Sequence, residues 1–157
     1  NFYQAREYGI TRGAYHYFIP GISAEQQAQN YINTVTLENG DLPPVLDIEV
    51  TGNLDAEQLR KEALSWLQII ENKYNITPIL YTNYKFKKEY LNTQDFKRYP
   101  YWIAHYYVDT LQYSGEWKFW QHTDRGKING IKGYVDLNIF NGSMYKLQQL
   151  TLTDKKK

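Results

Sequence analysis

The sequence predicts an α/β fold that begins with alternating strands and helices and ends in a β meander. Short apolar segments rich in β-branched and aromatic residues alternate with helical stripes up to residue 91. Beyond that point the strand patterns continue, but no helical stripe separates them. The alternation favours parallel strands joined by right-handed crossovers. A length of 157 residues supports one domain with a sizeable core.

The first part of the chain supplies the alternation. Gly9 suits the position just after a helix, and Ser23 with Gln26 three residues later is a capping-box signal for a helix start. The predicted elements are a helix end over 1–8, a strand over 12–19, a helix from Ser23 to near Gly40, a strand over 43–50, a helix from Asp55 to Tyr74, a strand over 77–82 and a short helix over 84–91.

Strand patterns dominate the second part of the chain. They cover residues 101–106, 116–123 and 134–140, and glycines mark turns between them. Three lysines, 155–157, end the sequence. We predict one domain over residues 1–150, followed by a polar, Lys-rich tail over residues 151–157.

The composition excludes several classes of protein. Eighteen Lys and Arg against seventeen Asp and Glu give a formal charge of +1, so no strong basic field would recruit nucleic acid. No apolar stretch approaches the ~20 residues of a membrane-spanning helix. Without cysteine there is no disulfide, no thiolate catalysis and no Cys-based zinc site. We therefore expect no nucleic-acid partner and no membrane span.

Known nucleotide and nucleophile motifs are also missing. The sequence contains no G-x-x-x-x-G-K-[ST] or G-x-G-x-x-G phosphate loop and no G-x-S-x-G nucleophile elbow. The three histidines, His16, His105 and His122, are too far apart in the sequence to form a helical metal-binding pair. Each is better explained as a hydrogen-bonded strand residue, so we expect no metal and no cofactor.

Aromatic residues are unusually frequent. Sixteen Tyr, four Trp and six Phe make up 17% of the chain. Tyr and Trp combine a flat apolar face with a polar group, which suits sugar binding as well as ordinary cores. Composition alone leaves both interpretations open.

Two carboxylates interrupt an otherwise apolar strand. Asp47 and Glu49 lie two residues apart, so their side chains leave the same face, with Cα atoms ~6.5–7 Å apart. Two like charges on a buried strand are costly unless they are paired or functional. They are therefore either strand-end residues bonded to Arg or Tyr, or a catalytic pair.

A third acid, Asp136, lies in another predicted strand, with Asn138 two residues later. By itself it is as consistent with a strand end as with catalysis. Acids at strand ends with Tyr and Trp nearby suit glycoside hydrolysis. That reaction needs one protonated carboxyl and a negative charge beside an oxocarbenium-like centre.

Six segments together resemble the glycoside hydrolase family 25 lysozymes, the Chalaropsis-type muramidases. Each block is moderately specific, and their order and intervals make the resemblance strong over nearly the whole chain. The blocks are RGAYHYF at 12–18, LPPVLDIE at 42–49, ILYTN at 79–83, YWIAHY at 101–106, FWQHT at 119–123 and VDLNIFNG at 135–142.

The resemblance implies a fold, a reaction and a set of roles. The fold is an irregular TIM-like (β/α)5(β)3 barrel, and the reaction is cleavage of the β-1,4 bond between N-acetylmuramic acid and N-acetylglucosamine. Glu49 would be the general acid, with Asp47 and Asp136 supporting it. The substrate-binding residues it implies are Tyr15, Tyr81, Trp102 and Gln121.

The sequence departs from the family pattern at its start. Family members begin with a strand that bears another active-site Asp, then a helix and a second strand, and this sequence opens after them. We therefore expect an N-terminally incomplete barrel whose open edges, residues 12–19 and 134–140, meet across the gap. A second chain or an N-terminal segment would complete it.

Other functions remain open from the sequence. The domain is alternatively a non-catalytic glycan-binding remnant, or a hydrolase of another N-acetylated polysaccharide. The expected partner is a peptidoglycan glycan strand, and an extracytoplasmic location follows only from that substrate.

Overall fold

A computed structural model describes residues 1–153. Their six strands form one sheet in the order β1-β2-β3-β4-β5-β6, in which the first five are parallel and β6 is antiparallel to β5. The strands are β1 Tyr15–Tyr17, β2 Val45–Asp47, β3 Ile79–Asn83, β4 Tyr101–Ala104, β5 Phe119–Gly126 and β6 Val135–Phe140.

The helices confirm most of the predicted alternation. Helix α2 begins after Ser23, whose hydroxyl accepts a hydrogen bond from the Gln26 amide, and α3 begins after Asp55. Gly9 follows α1 with a φ of 66°, as the helix-end signal predicted. The helices are α1 Phe2–Glu7, α2 Ala24–Thr34, α3 Ala56–Tyr74, α4 Tyr84–Tyr90 and α5 Met144–Leu150, with a 3₁₀ turn over Gln94–Phe96.

Three details differ from the sequence prediction. Helix α2 stops at Thr34, well before Gly40. The last strands do not form a simple meander, because β4 pairs in parallel with β5 across a connection without an α-helix. Helix α5 was not predicted at all.

The two faces of the sheet bury different residues. Leu46, Ile48 and Leu80 are fully buried in the core that lies against the helices, where α2 and α3 pack. Residues alternate along a strand, so Val45 and Ile79 face the other side. There they form a smaller cluster with Phe119, against which Leu147 and Leu150 of α5 pack.

The end of the described chain is attached to the domain. The Leu152 amide donates a hydrogen bond of 2.8 Å to the Asp41 carbonyl, and the Gly40 amide donates one of 2.9 Å to the Leu152 carbonyl. The first residues of the predicted tail therefore contact the domain. Residues 154–157, which include the lysine run, lie outside the described residues.

Strands β1 and β6 are the two edges of the sheet. We expected them to face each other across a gap; within residues 1–153 they form no strand pair with each other, and Tyr15 of β1 and Asp136 of β6 line one cleft. The sheet is therefore open between these two edges. No helix in this part of the chain is long and apolar enough to cross a membrane.

Candidate active site

The predicted acids lie at the carboxyl end of the parallel strands. Asp47 is the last residue of β2, beside Tyr17 of β1 and Tyr81 of β3, and Tyr81 in turn lies beside Trp102 of β4. Glu49 follows two residues later, just beyond the end of β2. In barrels of parallel strands, this end of the sheet is where active sites are built.

A cleft of about 350 Å³ opens on this face and is bounded by both edge strands. It brings together residues that are far apart in the sequence. Its lining includes six of the seven predicted site residues: Tyr15, Asp47, Tyr81, Trp102, Gln121 and Asp136.

Glu49 is the one predicted site residue that does not line the cleft. Glu49 is close to the cleft residues Asp47 and Tyr81, and its charge raises the pKa of both side chains. The side chains of Asp47 and Glu49 are half-buried, whereas Asp136 is exposed. The structure therefore brings the three acids to one region but gives them different degrees of contact with water.

Burial changes the protonation of the two half-buried acids. It is the main cause that raises the pKa of Asp47 to about 7, and the neighbouring charge of Glu49 raises it further. Burial also raises the pKa of Glu49, while a hydrogen bond with Asn83 lowers it. Asp47 Oδ1 is buried without a hydrogen-bond partner among the described residues. The pair therefore retains protons at a higher pH than isolated carboxyls do.

Hydrogen bonds fix the aromatic residues around the acids. The hydroxyls of Tyr81 and Tyr106 both donate to Oε1 of Gln121, the former at 2.7 Å. The Trp102 indole N–H donates to Oδ1 of Asn138 at 2.8 Å. Gln121 is 6% exposed and acts as a shared acceptor.

Trp102 is a wall of the cleft and is not enclosed in the core. Its ring packs against Phe119 at 4.6 Å between centroids and against the edge of Tyr81 at 6.1 Å. The remaining surface is partly accessible. Tyr15 is more open still, at 70% exposure. Both rings are available to a ligand in the cleft.

Sequence reasoning missed two residues of the site, Asn83 and Tyr106. Asn83 follows Tyr81 by two residues within β3. Tyr106 lies two residues beyond the end of β4, and its hydroxyl reaches Gln121. That spacing was visible in the sequence. What the sequence did not reveal was which acid or amide each side chain meets.

The histidines have structural partners outside the cleft. His16 stacks on Trp66 and shares a hydrogen bond of 2.9 Å with Gln27, while His105 stacks on Tyr84. Residues 1–153 contain no group of three or more His, Cys, Asp or Glu side chains placed to hold a metal ion.

Comparisons with known proteins agree on one family. The family model described as glycosyl hydrolases family 25 matches residues 1–131. The uncharacterized protein YegX of Escherichia coli K12 is 45% identical over 149 residues, which are 94% of this chain and 54% of that protein. Lysozyme M1 of Streptomyces globisporus is 30% identical over 169 residues, covering 96% of this chain and 56% of the lysozyme.

Solved structures give the same result. A bacterial lysozyme from Streptomyces coelicolor superposes with a TM-score of 0.86 at 30% identity, over 96% of this chain and 76% of that one. A family 25 glycosyl hydrolase from Bacillus anthracis gives a TM-score of 0.85 at 28% identity, over 97% and 74%. The predicted TIM-like fold is thereby confirmed.

The chain spans about half the length of the curated relatives it matches. Within that span, the family match, the fold and the order of the sequence blocks coincide. The chain belongs to glycosyl hydrolase family 25.

Proposed function

We propose that this domain is a peptidoglycan muramidase, which hydrolyses the β-1,4 bond between N-acetylmuramic acid and N-acetylglucosamine. The observation that carries the proposal is the pair Asp47 and Glu49, half-buried beside a cleft walled by aromatic residues. Relatives that carry the name lysozyme support the same substrate class.

Glu49 acts as the general acid in this proposal. Its carboxyl donates a proton to the glycosidic oxygen as the bond from that oxygen to the sugar C1 breaks, and water then adds to C1 and returns a proton to the Glu49 carboxylate. Burial raises its pKa, which keeps the acid protonated at a higher pH than an exposed carboxyl would be. The neighbouring Asn83 side chain moderates this rise in the pKa of Glu49.

Asp136, and Asp47 once its carboxyl has lost the proton that its raised pKa retains, support the reaction through their charge. A positive charge develops on the sugar ring in the transition state, and a carboxylate beside it lowers the barrier. Asp47 performs this role or orients the substrate acetamido group. Asp136 reaches the cleft from β6, the opposite edge of the sheet.

The aromatic residues bind the glycan. Tyr15, Tyr81 and Trp102 present ring faces or hydroxyls in the cleft, and Gln121 holds the Tyr81 hydroxyl. Sugars bury their apolar faces against such rings and bond their hydroxyls to the polar edges. The substrate also implies that the protein acts outside the cytoplasm, on the cell wall.

Product analysis tests the proposal. Purified protein is incubated with peptidoglycan, new reducing ends are reduced with borohydride, and the sugars are identified after acid hydrolysis. We expect reduced muramic acid. Reduced glucosamine would contradict the bond assignment. Binding to peptidoglycan without any new reducing end would instead identify a glycan-binding module.

A further inference from the structure

A charged hairpin adjoins the cleft but belongs to none of the roles assigned above. Residues 124–134, here called the rim hairpin, comprise the last residues of β5 and the loop that connects it to β6. Gly126 pairs with Val135 at its base, and the next residue, Asp136, lines the cleft. The rim hairpin therefore projects from the edge of the candidate active site.

The rim hairpin is positively charged. It contains one acid, Asp124, and three cations, Arg125, Lys127 and Lys132, which leaves a net charge of +2. All three cations are exposed. The ion pairs found within residues 1–153 involve other residues, so no carboxylate of the described chain neutralises these three side chains.

The same segment exposes apolar surface. Ile128 is 49%, Ile131 52% and Tyr134 63% exposed. The Lys127 ammonium lies 5.7 Å from the centre of the Tyr134 ring, so charge and apolar surface are adjacent. Clustered apolar side chains of this size on a loop are typical of a contact surface.

The base of the rim hairpin is held in one conformation. The Tyr107 hydroxyl donates a hydrogen bond to the Asp124 carboxylate, and Tyr107 itself has a φ of 57°, unusual for a residue with a side chain. A Cβ at Gly126 would lie 2.4 Å from Leu137, so the strands approach closely there. The Asp124 carboxylate is therefore hydrogen-bonded to Tyr107. Because the three hairpin cations form no ion pair within the described residues, they are available to bind an external anion.

We propose that the rim hairpin binds the carboxylate-bearing peptide stems of the substrate while the cleft holds its sugars. This inference rests on the function proposed above. In peptidoglycan, the peptides extend from the muramic acid residues and carry free carboxylates and small apolar side chains. A cationic and apolar surface at the edge of a sugar cleft complements both features.

The test compares intact peptidoglycan with glycan strands whose peptides an amidase has removed. The variant is Arg125→Gln/Lys127→Gln/Lys132→Gln, and the matched control, Lys61→Gln/Lys73→Gln/Lys97→Gln, removes the same charge elsewhere. We expect the hairpin variant to raise KM about fivefold to twentyfold on intact peptidoglycan and less than about twofold on stripped strands. The control should leave both values unchanged.

Binding measurements with the Glu49→Gln protein provide a readout independent of turnover and of the hairpin variant. Raising the salt concentration should weaken its binding to intact peptidoglycan more than its binding to stripped strands, whose remaining carboxylates are the lactyl groups that the amidase exposes. An equal effect of salt and of the hairpin variant on both substrates, or no effect on either, would overturn the inference. If the unaltered protein hydrolysed neither intact peptidoglycan nor stripped strands, the proposed function itself would be refuted.

Discussion

Tyr81 on β3 and Gln121 on β5 are joined across β4 by a hydrogen bond of 2.7 Å from the phenol hydroxyl to Oε1. Tyr106 donates to the same oxygen. Gln121 is almost inaccessible to water, so these hydroxyls depend on it as an acceptor. One buried amide thus positions two phenols beside the acids Asp47 and Glu49.

Replacing Gln121 with Leu should destabilise the protein by about 1–3 kcal/mol, because two partly buried hydroxyls lose their acceptor. Tyr81→Phe removes one donor and leaves the Tyr106 bond intact, so it should cost less, about 1 kcal/mol. Urea denaturation of both variants measures the difference. A larger loss of stability in Tyr81→Phe than in Gln121→Leu would contradict this account of the network.

The pH dependence of hydrolysis should respond to Asn83. Its hydrogen bond lowers the pKa of Glu49, so Asn83→Ser should raise that pKa further. The general acid would then stay protonated to higher pH, and the alkaline limb of the kcat profile should move upward. Asn83 also caps α4 through the Phe86 amide, a role that Ser can retain.

Asn30→Ser, on the exposed side of α2, is the matched control for this experiment and should leave the pH profile unchanged. Circular dichroism checks that α4 is intact in the Asn83 variant. A downward shift of the alkaline limb would show that Asn83 does not stabilise the charged form of Glu49.

Trp102 should contribute to substrate affinity more than to turnover. Trp102→Phe keeps an aromatic ring but loses part of the stacking surface and the indole N–H bond to Asn138. We expect KM to rise about threefold to tenfold, corresponding to ~1 kcal/mol, with kcat nearly constant. Trp117 does not line the cleft, so the Trp117→Phe variant provides the comparison. Equal KM values for the two variants would remove Trp102 from the binding surface.

Most of the fold was predictable because its signals are local. The stripe of α3 and the Ser23 and Asp55 caps are set by residues within a few positions of each other, and the structure confirms them. Helix α5 has a similar local signal: Ser143 caps it, and the partly buried Leu147 and Leu150 lie three residues apart on the side that packs against the sheet.

The site was predictable only in part because its contacts are not local. Strand alternation put Asp47 and Glu49 on one face, but it did not indicate that Asn83 moderates the acidity of Glu49. The parallel pairing of β4 with β5 was also missed, since a crossover without an α-helix leaves no periodic signal. The chemical assignment of Glu49 as the acid comes from the family resemblance.

Breaking the buried ion pair of Arg12 and Asp41 should strongly destabilise the protein. Arg12 Nε lies 2.8 Å from Asp41 Oδ1, and both side chains are almost fully buried. Asp41→Asn removes the buried counter-charge of the guanidinium, which then keeps only the half-exposed Glu38 carboxylate as an ionic partner, and should cost about 3 kcal/mol. Glu71→Gln breaks the more exposed pair with Arg98 and should cost less than about 1 kcal/mol. Thermal or urea denaturation would reveal whether the costs follow this order.

The most direct test of the central claim is the rate at which the Glu49→Gln variant hydrolyses cell walls. Gln keeps the size of the side chain but has no proton to donate, so we predict a loss of about 10²–10⁴-fold in kcat with the fold unchanged. Glu57→Gln, an exposed residue at the start of α3, should hydrolyse cell walls at the rate of the unaltered protein. Near-normal turnover by Glu49→Gln would contradict its role as the general acid.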